Sequence, residues 1–154
     1  MAKRHHNIAI AIDPGVKTGV AISFLNNGKW EWHDLSTSSI LQAIETVRMY
    51  EDEQTIIIIE DASLVKFKTD RFKAQGAGSI KRDVSIWKEF TSTLKGPEVE
   101  FIRPLTGIAG KLYRKCSHEM LVSNCKLPDN MKASQHARDA AGILWVHWLS
   151  DRMK

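Results

Sequence analysis

NIAIAIDPGVKTGVAIS, residues 7–23, is an apolar run that ends on a carboxylate, Asp13, turns through Pro14 and Gly15, and then becomes apolar again. Read by alternation, Ile8, Ile10 and Ile12 fall on one face of a strand, and Ala9, Ala11 and Asp13 on the other. The isoleucine face suits a thick core. The alanine face admits a close neighbour, with Asp13 at the rim of that approach. Pro14-Gly15 signals a turn and Val16 to Phe24 resumes a β-rich run, so the segment predicts a hairpin. The plainer reading of an aspartate at such a turn is that it bonds turn amides. What Asp13 is for therefore depends on what else reaches it.

The remaining chain predicts the partners of that hairpin. GKWEWHDL alternates Trp30 and Trp32 with polar residues beyond the turn Asn26-Asn27-Gly28 and reads as a third strand. Ser36 to Met49 reads as a helix, with Ile40, Leu41, Ile44 and Val47 at helical spacing and hydroxyl residues available to cap it. QTIIIIEDA is a β-branched run of the kind buried on both faces, and it too ends on an acid, Glu60. If that strand is regular, Glu60 shares a face with Ile56 and Ile58, while Asp61 points the other way. A basic, irregular stretch, SLVKFKTDRFKAQGAG, leads into a helix expected from about Ser79 to Leu94 and stopped by Gly96-Pro97. A short strand, Glu98 to Arg103, a short helix near Cys116 to Val122, and a strong helix from Ala133 to about Ser150, with Ser134 as N-cap, complete the chain. Three strands followed by alternating helices and strands predict one α/β domain over residues 1–154, a mixed sheet flanked by helices.

A chain of 154 residues is long enough for one core and too short for two large lobes. No apolar segment approaches the ~20 residues that span a bilayer. MAKRHHN is followed at once by strand-like residues, without a signal-peptide core, and a cytoplasmic protein is expected. Cys116 and Cys125 match no common zinc spacing. A net charge of +4 leans towards a polyanionic partner.

The last helix supplies further polar groups. In SQHARDAAGILWVHWL, His136 and Asp139 are three apart and lie on one face, and Ala137, Ala140, Ala141 and Gly142 keep the helix slim. A slim helix can lie on the alanine face of the first strand, carrying Asp139 and His136 towards Asp13. Glu60 joins them if its strand is a parallel neighbour of the first, because ligands gather beyond the carboxyl ends of parallel strands. Acids buried together repel unless something neutralises them. Hard divalent cations do so, and Mg²⁺ suits sparse carboxylates plus phosphate oxygens. Two ions about 3.5–4 Å apart would clamp the attacking and leaving oxygens of a phosphodiester. Each residue also has a plainer reading: Glu60 as a solvated strand end, Asp139 paired with Arg138 or Lys132, His136 as a first-turn polar residue.

IAIDPGVKTGVAIS, IIIIEDA and HARDAAGI together resemble the three catalytic segments of RuvC-like Holliday junction resolvases, of the ribonuclease H-like superfamily, in order, spacing and expected element. The resemblance runs along nearly the whole chain. It implies a ribonuclease H-like fold with a five-stranded mixed sheet, a homodimer, and Mg²⁺-dependent symmetric nicking of four-way DNA junctions in recombination, repair or phage DNA processing. It maps Asp13, Glu60 and Asp139 onto the catalytic, metal-binding carboxylates. His136 stands where many members carry a further aspartate and some a histidine; as a softer ligand there it would let Mn²⁺ substitute. The resemblance also implies a lysine near the scissile phosphate, with Lys111 and Lys115 as candidates. A bacterial or phage-infected cell is the implied setting.

For holding branched DNA, the clearest run is LVKFKTDRFKAQ, where Lys66, Lys68, Arg71 and Lys73 interleave with Phe67 and Phe72. The cations suit phosphates and the phenylalanines can stack on unpaired bases. Ser79 and Lys81, at the start of the next helix, extend the surface, since helix N-terminal amides hold phosphate. Three rivals stand beside this reading. DPGVKTG also resembles the phosphate loop of sugar kinase and actin-like ATPases, which need two lobes. A ribonuclease H-like enzyme of ribosomal RNA maturation, R-loops or flaps shares the metal chemistry. A non-cleaving junction-binding module would not need the acids.

Overall fold

The alternation along residues 8–13 divides the core into two layers on either side of a sheet. The computed structural model of the protein describes residues 5–64 and 71–153. Strands β1 (Ile8–Asp13), β2 (Lys17–Asn26) and β3 (Lys29–Ser39) form an antiparallel meander. After helix α1 (Ile40–Arg48), strand β4 (Thr55–Glu60) pairs parallel with β1, and after helix α2 (Arg71–Ser92) strand β5 (Glu98–Ile102) pairs parallel with β4. The result is the five-stranded mixed sheet β3-β2-β1-β4-β5. Helices α3 (Gly107–Tyr113), α4 (His118–Cys125) and α5 (Gln135–Leu144) follow; α5 runs through a π-helical turn, Trp145–Leu149, into the short α6 (Ser150–Arg152). Among the described residues no helix is long and apolar enough to cross a membrane.

Ile10 and Ile12 pack with Val20, Ile22, Ile57 and Ile59 under α1 and α2, where Trp87 is fully buried. On the opposite face Ala9, Ala11 and Ala21 lie with Ile56 and Ile58 against Ala137, Ala140 and Ala141 of α5. Small residues on both sides let strand and helix backbones come close. Gly19 shows how close: a Cβ there would stand 1.9 Å from the carbonyl oxygen of His136. Thr18, the other half of the TG pair, closes the turn after β1 by donating its hydroxyl to the Gly15 carbonyl at 2.8 Å.

Several element boundaries differ from the sequence reading. Ser36–Ser39 are not helical; they pair with Lys17–Val20 as the end of β3, and Ser39 caps α1 in a capping box with Gln42. Hydroxyl residues compete poorly for helix interiors but cap well, which moves the helix start to Ile40. Val47 is buried as its spacing predicts, but Leu41, expected on the same face of α1, is 74% exposed, and Ala43 is buried in its place. Helix α2 begins at Arg71 rather than Ser79, through Gly76 and Gly78. Each glycine costs a helix only about 1 kcal/mol, and the surrounding Lys, Ala and Gln are good formers. The segment after β5 holds two helices, not one. Ser134 does stand at the N-cap of α5, yet its hydroxyl pairs with that of Thr37 rather than with a helix amide.

Gly19→Ala is expected to destabilise the fold by about 1–3 kcal/mol through overpacking against α5. Chemical denaturation measures it; a variant as stable as the parent would mean that α5 does not rest on Gly19.

Candidate active site

Asp13 ends β1 and Glu60 ends β4, and the parallel register that pairs Ile12 with Ile59 sets the two acids side by side at the carboxyl ends of their strands. Both fall on the face covered by α5. Asp139, from the second turn of α5, comes down on them, and Asp13, Glu60 and Asp139 line one cleft of about 150 Å³. Leu105, Tyr113 and Ile143 form its apolar wall, while Arg114 and Lys115 bring positive charge. Asp61, adjacent in sequence to Glu60, is buried on the other side of the sheet, ion-paired to Lys88 at 3.1 Å and hydrogen-bonded by Ser63. Burial opposes its charge, but Ser63 and Lys88 outweigh burial and hold its carboxyl below the usual range.

The cleft acids are in the opposite condition. Burial, then the charge of Glu60, then that of Asp139 raise the Asp13 carboxyl from 3.8 to about 7, with Arg114 opposing. Glu60 is raised as well, by burial and by Asp139, again against Arg114. Asp139 is held by a network that orients it. One carboxylate oxygen accepts from the Gln135 amide at 2.7 Å and from the Lys115 backbone N–H at 3.1 Å. Gln135 in turn accepts from Arg138 at 2.9 Å, and Arg138 also donates to the carbonyls of Cys116 and Ala133. Arg138 is therefore not the ion-pair partner of Asp139 but the anchor of the glutamine that orients it.

His136, one turn before Asp139, is exposed and does not line the cleft; its backbone carbonyl is the part pressed on Gly19. Lys115 lines the cleft in a left-handed conformation, φ 54°, whereas Lys111 is exposed on α3 outside it. Lys81 is exposed on α2. Lys66, Phe67 and Lys68 lie outside the described residues. Arg71, Phe72, Lys73 and Ser79 fall on the α2 backbone, and their side chains are likewise outside the description. Sequence reasoning missed Gln135 and the place of Arg114 in the cleft, and offered Arg138 only as an ion-pair partner of Asp139; a glutamine four residues before Asp139 was the one local signal.

Among the described residues no set of three His, Cys, Asp or Glu side chains is drawn together to hold a metal ion as it stands. The donor chemistry nevertheless fits a hard divalent cation: three oxygen-donor acids in one cleft, one of them pushed to about 7 by burial and by its acidic neighbours.

Asp13 and Glu60 also fix how metal-free stability varies with pH. A carboxyl raised on folding binds its proton more tightly in the native state, so its contribution is full below the ordinary carboxylate range and is lost as pH rises through the folded value. For Asp13 the loss, which runs up to about pH 7, reaches up to about 4 kcal/mol. In EDTA the melting temperature should therefore fall between about pH 5 and pH 8, and Asp13→Asn should remove most of that fall. A parent profile that is flat, or that rises with pH, would contradict the burial of this charge.

No protein-family model matches the sequence, and no curated protein does. Solved structures match along nearly the whole chain. The fowlpox virus resolvase, in its complex with substrate Holliday junction DNA, superposes with a TM-score of 0.59 at 15% identity, covering 96% of this chain and 99% of that one. A second structure of the fowlpox virus Holliday junction resolvase gives 0.54 at 12% identity, over 88% and 93% of the two chains. The yeast mitochondrial Holliday junction resolvase Ydc2 gives 0.55 at 11% identity, over 97% and 82%. In fold the chain is ribonuclease H-like, with the five-stranded mixed sheet and flanking helices of these resolvases.

Proposed function

We propose that this chain is a structure-selective DNA endonuclease that resolves four-way junctions by divalent-metal-dependent, symmetric nicking, in the cytoplasm of a bacterial or phage-infected cell. The observation that carries the reading is the cleft at the carboxyl end of the parallel strands, where Asp13, Glu60 and Asp139 converge from three elements beside Arg114 and Lys115. The fold is shared with resolvases, one of them solved with Holliday junction DNA, and this supports the substrate.

In this reading Asp13, Glu60 and Asp139 would hold Mg²⁺, with Mn²⁺ as a substitute, and the exposed His136, one turn before Asp139, would add a ligand or orient water. Bound divalent ions supply a nucleophilic water and stabilise charge on the phosphate. The chain's own groups do the rest. Gln135 and the Lys115 amide both bond one oxygen of the Asp139 carboxylate, which leaves the other oxygen outside these two bonds. Leu105, Tyr113 and Ile143 limit water on one side, which strengthens electrostatic interactions there. Lys115 is better placed than Lys111 to meet the scissile phosphate, since it lines the cleft. The basic aromatic run from Lys66 to Lys73, with Lys81, grips the arms and stacks on unpaired bases at the crossover, whereas Ser79 lies in the interior of α2 and has no helix N-terminal amide to offer a phosphate. Two matched incisions call for a two-fold assembly, and we assign a homodimer.

The test is incubation of a labelled four-way junction, a linear duplex and an RNA–DNA hybrid with Mg²⁺ or with EDTA. The junction alone should be nicked, at paired sites, and only with Mg²⁺. Asp13→Asn, Glu60→Gln and Asp139→Asn should each reduce nicking by about 10²–10³-fold, on the scale of losing a main electrostatic group, while junction binding by gel shift persists. Near-parental cleavage by any one variant would remove that residue from the site. Preferential cutting of the hybrid would transfer the fold to RNA chemistry.

A further inference from the structure

Three cleft acids without a full counter-charge would repel each other, and the chain contains a cation fixed to face them. Tyr113 and Lys115 are both locked to α5. A Cβ on Gly142 would stand 2.5 Å from the Tyr113 carbonyl oxygen, so the backbones of α5 and the end of α3 touch there. The Lys115 N–H is bonded to Asp139, and the next residue is clamped by Arg138 donating to the Cys116 carbonyl at 3.0 Å. Arg114, between these anchors, has no freedom to leave the cleft with its backbone. It caps α3 in an extended conformation, φ −83° and ψ 130°, and its N–H bonds the Gly110 carbonyl at 3.1 Å.

The side chain is less restrained. Arg114 lines the same cleft as Asp13, Glu60 and Asp139, yet among the described residues it makes no direct ion pair, and it is exposed. Its charge is felt by two of the acids, whose raised carboxyls it partly restores. A guanidinium cannot lose its proton in this environment, so its +1 charge is permanent. Held near carboxylates without being bonded to them, it can neutralise them in part and still be pushed aside.

We infer that Arg114 is a built-in counter-cation of the candidate metal site, which holds the acids together when no metal is bound and competes with a divalent ion for the same cleft. The inference rests on the metal-dependent reading above. It differs from the expected role of a lysine at the scissile phosphate, because it operates without DNA.

Removing the charge has opposite effects on two quantities that a phosphate-binding residue would leave alone. Arg114→Gln should bind Mn²⁺ about tenfold more tightly in calorimetry without DNA, since a divalent ion no longer meets a like charge at partly screened range. In EDTA near pH 8 the same variant should melt several degrees below the parent, because the ionised acids lose their counter-charge. Arg114→Lys, which keeps the charge, should restore both values, and Lys29→Gln, exposed on β3 and outside the cleft, should alter neither. Unchanged or weaker Mn²⁺ binding by Arg114→Gln, with the parent binding well, would overturn this inference and leave the nuclease reading intact. No Mn²⁺ binding by either protein would overturn both. Equal melting of Arg114→Gln and parent in EDTA would also overturn the counter-cation role.

Discussion

The closeness with which α5 lies on β1 and β2 governs the molecule. Gly19 and Gly142 are the points where a side chain of any size would separate backbones, at the His136 carbonyl and at the Tyr113 carbonyl. Between those contacts the alanines of helix and strand interlock without large side chains to hold them apart. Asp139 is brought to the ends of β1 and β4 only because this approach is tight. The isoleucine face has no such requirement, and there α2 sets the bulky Trp87 and Phe90 against the isoleucines of the sheet. A sheet with one slim and one thick side thus defines where a helix-borne group can reach the strand ends.

That geometry creates an electrostatic problem at the same place. Asp13 is raised to about 7 because burial and the neighbouring acids disfavour its charge. Proteins do not ordinarily bury acids together without a partner. Asp61, one residue from Glu60 but across the sheet, illustrates the ordinary solution, with Lys88 and Ser63 satisfying it. The cleft acids have instead a loosely held arginine and an orienting glutamine for one of their number. A site left this way favours an incoming cation.

Much of this was legible in the sequence, for identifiable reasons. A two-residue period in IAIAID and a continuous run in TIIIIE leave few alternatives for a buried strand, and the parity of the residues assigns Glu60 and Asp61 to opposite faces. The small residues of α5 likewise announce a close neighbour. What escaped reading depends on pairing at a distance. Ser36–Ser39 extend a strand because Lys17–Val20 lie beside them, not because of any property of their own. Arg114 enters the cleft because Lys115, 24 residues from Asp139, donates to it. Local spacing offered Lys111 and Lys115 as equals, and the turn at φ 54° separates them.

The central claim is that carboxylates from β1, β4 and α5 form one cation site at the end of the sheet. Anomalous diffraction from crystals soaked in Mn²⁺ tests it most directly. The account predicts a manganese peak within coordination distance of Asp13, Glu60 and Asp139 together. Manganese bound only elsewhere on the chain, with those acids still apart, would contradict it.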